Sequence, residues 1–235
     1  MIEGIKNEHP LETLLRDLDP LGDFPEIKNI RTVEGDDYAT LYQQVLIDLP
    51  IGNYFRKFLD DFVVMQLGED KNVKKDSKFI AELMKDFKEV KIRNLLKKIW
   101  ISEFHKYCME NLNDTSKELM DDLLKFESDC MTIQIIYNSI GNEELSGVRG
   151  KESERKKYIN NLGYLYPGRD EELNKADSFD KLKDAVKSFE YEDILSQVHD
   201  VTQADKQNEF SSSNKSIDDV MYTHKSKRYS MAFEN

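Results

Sequence analysis

The sequence feature that most constrains the fold is a predominantly apolar stretch, residues 124–141, with polar side chains set inside it. Its apolar residues fall on almost every face of a helix, and a helix that is apolar all round is buried. Glu127, Asp129 and Asn138 lie among these apolar residues. Because a buried polar group without a partner costs about 1–3 kcal/mol, each of them needs a hydrogen-bonding neighbour. The stretch therefore predicts one buried helix that is tied to its surroundings by polar contacts.

Composition favours a helical and acidic protein. The 235 residues include only 10 glycines and 5 prolines, as expected where helices dominate, and they suffice for one large or two small domains. The formal net charge of −12 disfavours nucleic acid and anionic lipid as partners. No window approaches the roughly 18 consecutive apolar residues of a membrane span, and Met1–Lys6 lacks the features of a signal peptide. We therefore expect a chain that does not cross a membrane by itself.

Helical spacing of apolar residues recurs along the rest of the chain. It predicts helices at about 11–19, 37–48, 54–62, 79–87, 90–112, 152–162, 179–189 and from Ile217 onward. Thr115–Glu118 fits a capping box for the buried helix, and Ser178 is a candidate cap. Residues 66–89 resemble a charged insertion, and residues 199–216 a mobile polar loop. These patterns predict an all-α fold.

Aromatic residues complete the predicted core. Tyr107 falls on the apolar stripe of the 90–112 helix. Tyr164 and Tyr166 flank Leu165 in a turn that precedes Pro167. We expect all three tyrosines to anchor the core.

No pattern of catalytic or ligand-binding residues emerges. The four histidines have no metal-ligand spacing, and the chain has no nucleotide-binding glycine loop and no nucleophile elbow. The acid pair Asp121-Asp122 is followed by Leu123-Leu124, with no third acid in place after it. Helix caps and solvated faces therefore explain them better than a magnesium-dependent helical enzyme does. We predict no catalytic, cofactor-binding or metal-binding residue.

Two further features each have two interpretations. Cys108 and Cys130 fit either small buried hydrophobic residues or a disulfide between neighbouring helices. The basic cluster Lys225–Arg228 suits either an acidic partner or a favourable interaction with a helix dipole. The sequence leaves both pairs of alternatives open.

Six short blocks share a pattern with one known family and occur in the family's order. They are Asp19–Phe24, Leu46–Pro50, Ile92–Lys98, Phe126–Gly141, Gly163–Pro167 and Ala176–Phe179. Together they resemble the subunit d family of the vacuolar-type proton-pumping ATPase. One block would be a weak signal, whereas six in order with comparable gaps are specific. The resemblance covers nearly the whole chain but not the whole family protein, so we expect a chain that is incomplete at both ends.

The resemblance implies an all-helical, funnel-like protein of three similar lobes. This chain would cover roughly two of them, at about 1–141 and 142–235. The implied role is non-catalytic: the subunit joins the rotating central shaft to the proteolipid ring and so supports ATP-driven proton transport and organelle acidification. The implied partners are the ring, the shaft subunits and the large membrane subunit, with no cofactor. The implied location is the cytosolic face of vacuolar or endosomal membranes, held by protein contacts without direct lipid binding.

A subunit that transmits rotation must be stiff, and stiffness requires packed helices with satisfied polar ties. The candidate ties are Arg93 and Asn94 on one helix and Glu127, Asp129 and Asn138 on another. We expect Arg93 to pair with Glu127 or Asp129, the alternative being that it extends to solvent. The alternative function is a generic helical adaptor that shares only the repeat architecture.

Overall fold

The computed structural model describes seven segments of the chain. They are residues 13, 52–67, 89–142, 145, 154–187, 189–198 and 216–234. Within them the regular secondary structure is entirely helical, so the predicted all-α class is confirmed. Several predicted features lie wholly or largely outside the described residues. These are the helices at 11–19, 37–48 and 79–87, the insertion at 66–89 and the loop at 199–216.

The structure gives the bounds of seven α-helices within the described segments. In chain order they are α1 (Gly52–Leu67), α2 (Glu89–Asn111), α3 (Asp114–Ser139), α4 (Asp170–Lys175), α5 (Phe179–Ala185), α6 (Tyr191–Ser196) and α7 (Ile217–Glu234). A 3₁₀ helix, Glu154–Lys157, precedes α4. The chain divides into two compact units, Met1–Trp100 and Ile101–Asn235. The two lobes expected at 1–141 and 142–235 stay a prediction.

The first unit contains α1 and the first half of α2. Phe55, Phe58 and Leu59 of α1 are buried, and the Phe55 and Phe58 rings lie 5.5 Å apart between centroids. The buried residues of this half of α2 are Ile92, Leu95 and Ile99. The three- and four-residue spacing puts each set on one face of its helix, as the sequence predicts.

The buried helix predicted from sequence is α3, a single helix of 26 residues. Residues 128–133 are all buried, so this part of the helix has no side that faces solvent. Its N-terminus is capped by Asn113, whose side chain accepts a 2.9 Å hydrogen bond from the N–H of Ser116. The predicted capping box at Thr115–Glu118 is therefore wrong, because α3 begins before Thr115 and Asn113 already satisfies the first turn.

The second unit packs helices α4 to α7 against α3 around one hydrophobic core. The Phe126 ring of α3 stacks on the Tyr191 ring of α6, with 5.8 Å between their centroids. Tyr137 of α3 meets Phe179 of α5 edge-on at 5.4 Å. Paired aromatic rings bury a large area and fix the relative rotation of the helices that carry them.

Two of the predicted helices in this unit are confirmed. Helix α5 begins after Ser178, whose side chain accepts a hydrogen bond from the N–H of Lys181. Helix α7 begins at Ile217 and buries Ile217, Val220 and Met221. A capping serine and an apolar stripe were sufficient signals for α5, and an apolar stripe was sufficient for α7.

The helix predicted at 152–162 is wrong. Among the described residues of this range, 154–162, the regular structure is the 3₁₀ helix Glu154–Lys157, and an irregular segment follows it. The Asn160 side chain accepts a 3.2 Å hydrogen bond from the N–H of Leu162, and such local bonds compete with helical ones. Helices α4 and α6 are absent from the sequence prediction. The six residues of α4 give too little periodicity to distinguish a helix from a loop, whereas Tyr191, Ile194 and Leu195 of α6 do lie at helical spacing and were not included.

The three tyrosines expected in the core differ from prediction. Tyr107 is 58% exposed, because it lies one residue, or about 100° around the helix, from the buried Cys108. Tyr164 and Tyr166 are 42% and 39% exposed, whereas Leu165 between them is buried. The core anchor of this turn is therefore the leucine.

The Asn113 cap can be tested against the capping box. We expect Asn113→Ala to lower the free energy of unfolding by about 1 kcal/mol, because it removes the acceptor for the Ser116 N–H. Thr115→Ala, at the alternative cap position, should change it by less than about 0.5 kcal/mol. Urea unfolding followed by circular dichroism measures both variants. A larger loss for Thr115→Ala would contradict the assignment.

Candidate functional site

The carboxylate of Asp129 holds the segment Asn160–Gly168 against α3. Asp129 is 2% exposed, and its Oδ2 atom accepts 2.8 Å hydrogen bonds from the N–H of Tyr164 and the hydroxyl of Tyr191. The N–H of Leu165 donates to the same atom at 3.3 Å. Burial raises the pKa of Asp129 to about 6, against the opposing effect of these hydrogen bonds. One carboxylate therefore joins α3, the following segment and α6.

The close approach of this segment to α3 requires a glycine at position 163. Gly163 has a φ of +134°, a backbone conformation that residues with a side chain rarely adopt. A Cβ atom at this position would also overlap the Asp129 carboxylate, lying 2.8 Å from its Cγ atom. The backbone conformation and the contact both exclude a side chain.

Two serines hold the same segment at neighbouring points. The buried Ser128 hydroxyl donates to the carbonyl of Leu162. The Ser102 hydroxyl donates to the Asn160 side-chain oxygen at 3.3 Å, and that oxygen also accepts from the Leu162 N–H. The segment is thus attached to α3 through Ser128 and to α2 through Ser102.

A fully buried arginine joins the ends of two helices. The Nε atom of Arg155 donates to the Ser139 hydroxyl at 2.6 Å, and its Nη1 atom donates to the carbonyls of Asn174, at 3.3 Å, and Ala176. These acceptors lie at the C-terminal ends of α3 and α4, where a positive charge interacts favourably with the helix dipole. Burial lowers the pKa of Arg155, and the charge of Asp177 partly offsets that effect.

Arg228 of α7 contacts two acids and an aromatic ring at once. Its Nη2 atom donates to Asp122 at 2.7 Å and its Nη1 atom to Glu190 at 2.7 Å, while its guanidinium lies 4.4 Å over the Phe126 ring. Asp122 also accepts a 2.6 Å hydrogen bond from the Tyr164 hydroxyl. Burial raises the pKa of Asp122, but these two hydrogen bonds outweigh it, so the pKa lies below its usual value.

Further along, α7 continues to contact α3 through polar side chains. Glu127 accepts 2.7 Å hydrogen bonds from Lys225 and from the Tyr229 hydroxyl. Gln134 donates to Asp218 at 2.8 Å. Positions 122, 127 and 134 of α3 thus meet positions 228, 225 and 218 of α7, so the two helices run antiparallel. We call these three contacts the α3–α7 seam.

The predicted polar ties are placed as follows. Glu127 and Asp129 accept the hydrogen bonds described above, and Asn138 is exposed on α3. Arg93 is exposed and Asn94 is half-buried on α2. Because Arg93 belongs to the other unit, its pairing with Glu127 or Asp129 stays a prediction.

Sequence reasoning missed several residues of this network. Arg155 stands in the charged run Glu154–Lys157, which has the composition of a solvated surface. Tyr191 has acidic neighbours, although Ile194, Leu195 and Val198 follow it at helical spacing and could have indicated its burial. The basic cluster on the last helix was a second usable signal: its Lys225 and Arg228 bind acids of the same chain.

The described residues form a network of hydrogen bonds and ion pairs whose role is structural. No group of three or more His, Cys, Asp or Glu among them is placed to hold a metal ion. Cys108 and Cys130 are buried free thiols, and burial raises the pKa of both. None of the helices in the described segments is long and apolar enough to span a bilayer. The network can hold helices in register and resist their relative movement.

The whole chain, residues 1–235, matches the family model described as ATP synthase (C/AC39) subunit. The chain belongs to this family. It is 27% identical to V-type proton ATPase subunit d1 of Arabidopsis thaliana over 235 residues, which is 100% of this chain and 56% of that protein. It is 28% identical to V-type proton ATPase subunit d of Dictyostelium discoideum over 236 residues, covering 100% and 55%.

A further relative is similar over a shorter span. V-type proton ATPase subunit d of Saccharomyces cerevisiae is 26% identical over 196 residues, which is 83% of this chain and 49% of that protein. The chain spans about half the length of the curated relatives it matches. The resemblance to subunit d inferred from six sequence blocks is confirmed.

The constraint at Gly163 gives a testable contrast within this family member. We expect Gly163→Ala to lower the free energy of unfolding by roughly 3 kcal/mol, because the new methyl group is strained in its backbone and overlaps Asp129. Gly168→Ala is the matched control, since a Cβ there has no atom within 4 Å. It should change stability by less than about 0.5 kcal/mol. Similar urea midpoints for the two variants would refute the close approach.

The α3–α7 seam can be measured with a double-mutant cycle. We expect Asp122→Ala and Arg228→Ala to show a coupling free energy of about 1 kcal/mol, because the pair is bidentate and only partly exposed. The exposed pair Asp177 and Lys181 is the control and should couple by less than about 0.5 kcal/mol. Urea unfolding of each set of four proteins gives the two values. Equal coupling at both pairs would show that the seam adds nothing beyond an ordinary surface contact.

Proposed function

We propose that this chain is part of a non-catalytic subunit of a V-type proton ATPase, where it couples a rotating central shaft to the proteolipid ring. The observation that carries the proposal is the family match along all 235 residues, together with relatives that are named V-type proton ATPase subunit d. On this proposal the chain supports ATP-driven proton transport, and hence organelle acidification, without performing chemistry itself.

The polar network of the second unit supports this role physically. A coupler loses work if its helices slide when torque is applied, so its contacts should be geometrically specific as well as apolar. The carboxylate of Asp129, the guanidinium of Arg155 and the α3–α7 seam each connect elements that are distant in sequence. Hydrogen bonds to charged groups contribute about 1.5–3 kcal/mol each and are strongly directional. We include Arg93, Asn94 and Asn138 as further ties in the proposal.

Charge supports attachment through protein partners. At a net charge of −12, the chain is repelled by anionic lipid headgroups. Together with the similarity to V-type proton ATPase subunit d, this repulsion supports a peripheral position, which we propose to be the cytosolic face of vacuolar or endosomal membranes. The proposed partners there are the proteolipid ring, the central shaft subunits and the large membrane subunit.

Affinity purification tests the assignment to the pump. The tagged protein is isolated from mildly solubilised membranes of its own cells, and the partners are identified by mass spectrometry. We expect the ring, the shaft and the large membrane subunit to be recovered together. Recovery of soluble partners alone would favour the generic helical adaptor instead.

Coupling itself gives a sharper prediction. In membranes from cells that carry Arg228→Ala, we expect the ratio of proton transport to ATP hydrolysis to fall, because α7 loses its bidentate contact with α3. Lys227→Ala removes the same charge from an exposed neighbouring position and should leave the ratio unchanged. Both activities are measured on the same vesicles, after the amount of assembled complex has been equalised. An unchanged ratio in both variants would argue against a coupling role for the seam.

A further inference from the structure

The buried carboxyl group of Asp129 is held by neutral donors. Its hydrogen bonds come from the hydroxyl of Tyr191 and the N–H groups of Tyr164 and Leu165. The ion pairs formed by the described residues do not include it. Burial penalises the charged form of a carboxyl group, and no cation in direct contact compensates for that penalty here.

The charged groups around this carboxyl group are engaged with one another. On its own helix, Glu127 pairs with Lys225. Beside Tyr191, Glu190 pairs with Arg228, and the remaining negative charge of Glu190 disfavours a second anion nearby. Cys130, the next residue on α3, is a neutral thiol because burial raises its pKa.

The remaining side of Asp129 adjoins a small cavity of about 10 Å³. Asn160, Tyr166 and Asp170 line it together with apolar side chains. A space of this size holds at most one water molecule. Asp170, at the start of α4, is the acid that lines the cavity on this side. It therefore supplies no positive charge that could stabilise the ionised form of Asp129.

We propose that Asp129 is a proton-binding site: a proton on its carboxyl group strengthens the attachment of the Asn160–Gly168 segment to α3, and loss of that proton loosens it. This property belongs to the chain by itself and does not depend on the proposed function. In a coupling subunit it would make the segment more firmly attached as the surroundings become more acidic.

Both protonation states have a consistent set of hydrogen bonds. In the ionised state Oδ2 accepts from the Tyr164 N–H and the Tyr191 hydroxyl. In the protonated state the Tyr191 hydroxyl rotates, so that its oxygen accepts the proton of the carboxyl group. The protonated Oδ2 atom keeps a lone pair for the Tyr164 N–H, and the unprotonated Oδ1 atom accepts from the Leu165 N–H at 3.4 Å. The proton is exchanged with solvent when the segment opens.

The sign of the pH dependence follows from linkage. The pKa of Asp129 is about 6 in the packed state, against an ordinary value of 3.8 when the segment opens to water. Because the packed state binds the proton more tightly, the attachment is strongest below about pH 4. It weakens as the pH rises from there through 6.

Hydrogen exchange of the 235-residue chain, read by mass spectrometry on peptides that cover 160–168, tests the proposal between pH 5 and pH 7.5. After correction for intrinsic exchange, the opening constant of this segment should rise about tenfold across that range, as the two pKa values require. Peptides from α7 serve as an internal reference for global opening. A constant that stays level or falls with pH would overturn the proposal.

Two variants identify the responsible group. Asp129→Asn removes the titration and should abolish the pH dependence of the segment, whereas Asp180→Asn, at an exposed acid of α5, should keep it. Persistent pH dependence in Asp129→Asn would assign the effect to another group and refute the proposal. Should that variant fail to fold, carboxyl ¹³C NMR of the unaltered chain decides: a midpoint near 6 for Asp129 supports the site, and one below about 5 excludes it.

Discussion

Every polar group on a buried helix has to be satisfied, and at α3 this requirement determines how the second unit is arranged. The carboxylate of Asp129 accepts hydrogen bonds from the backbone N–H groups of Tyr164 and Leu165 and from the hydroxyl of Tyr191. Without these donors the buried carboxyl group would cost about 1–3 kcal/mol, whereas exposed ion pairs contribute about 0–1 kcal/mol. The buried contacts of α3 therefore outweigh the surface pairs in fixing the arrangement.

The helices were largely predictable because their signals are local. An apolar stretch, a capping serine and an apolar stripe were enough to place α3, α5 and α7. The connections between them were not, because they depend on partners far away in sequence. Arg155 looks like a surface charge until the carbonyls of Asn174 and Ala176 are brought to it. For the same reason Glu127 and Asp129 could be singled out, while their donors could not be named.

The charges of the unit fall into two kinds with different physical roles. Arg155 is buried and is held by helix ends, so it links α3 and α4 through directional bonds to backbone and hydroxyl oxygens. Arg228 is partly exposed and is shared between Asp122 and Glu190, with its apolar face over Phe126. A shared cation of this kind holds three elements at one point and keeps its charge at any physiological pH.

The α3–α7 seam also affects how the chain can fold. Its contacts join residues that are 84, 98 and 106 positions apart, and contacts of such long range form slowly because a large loop must close first. During synthesis α7 follows α3 by an interval on the order of ten seconds. Throughout that interval Glu127 and Asp122 lack their partners on α7. The second unit therefore cannot complete its assembly until α7 has been synthesised, even if each helix forms quickly.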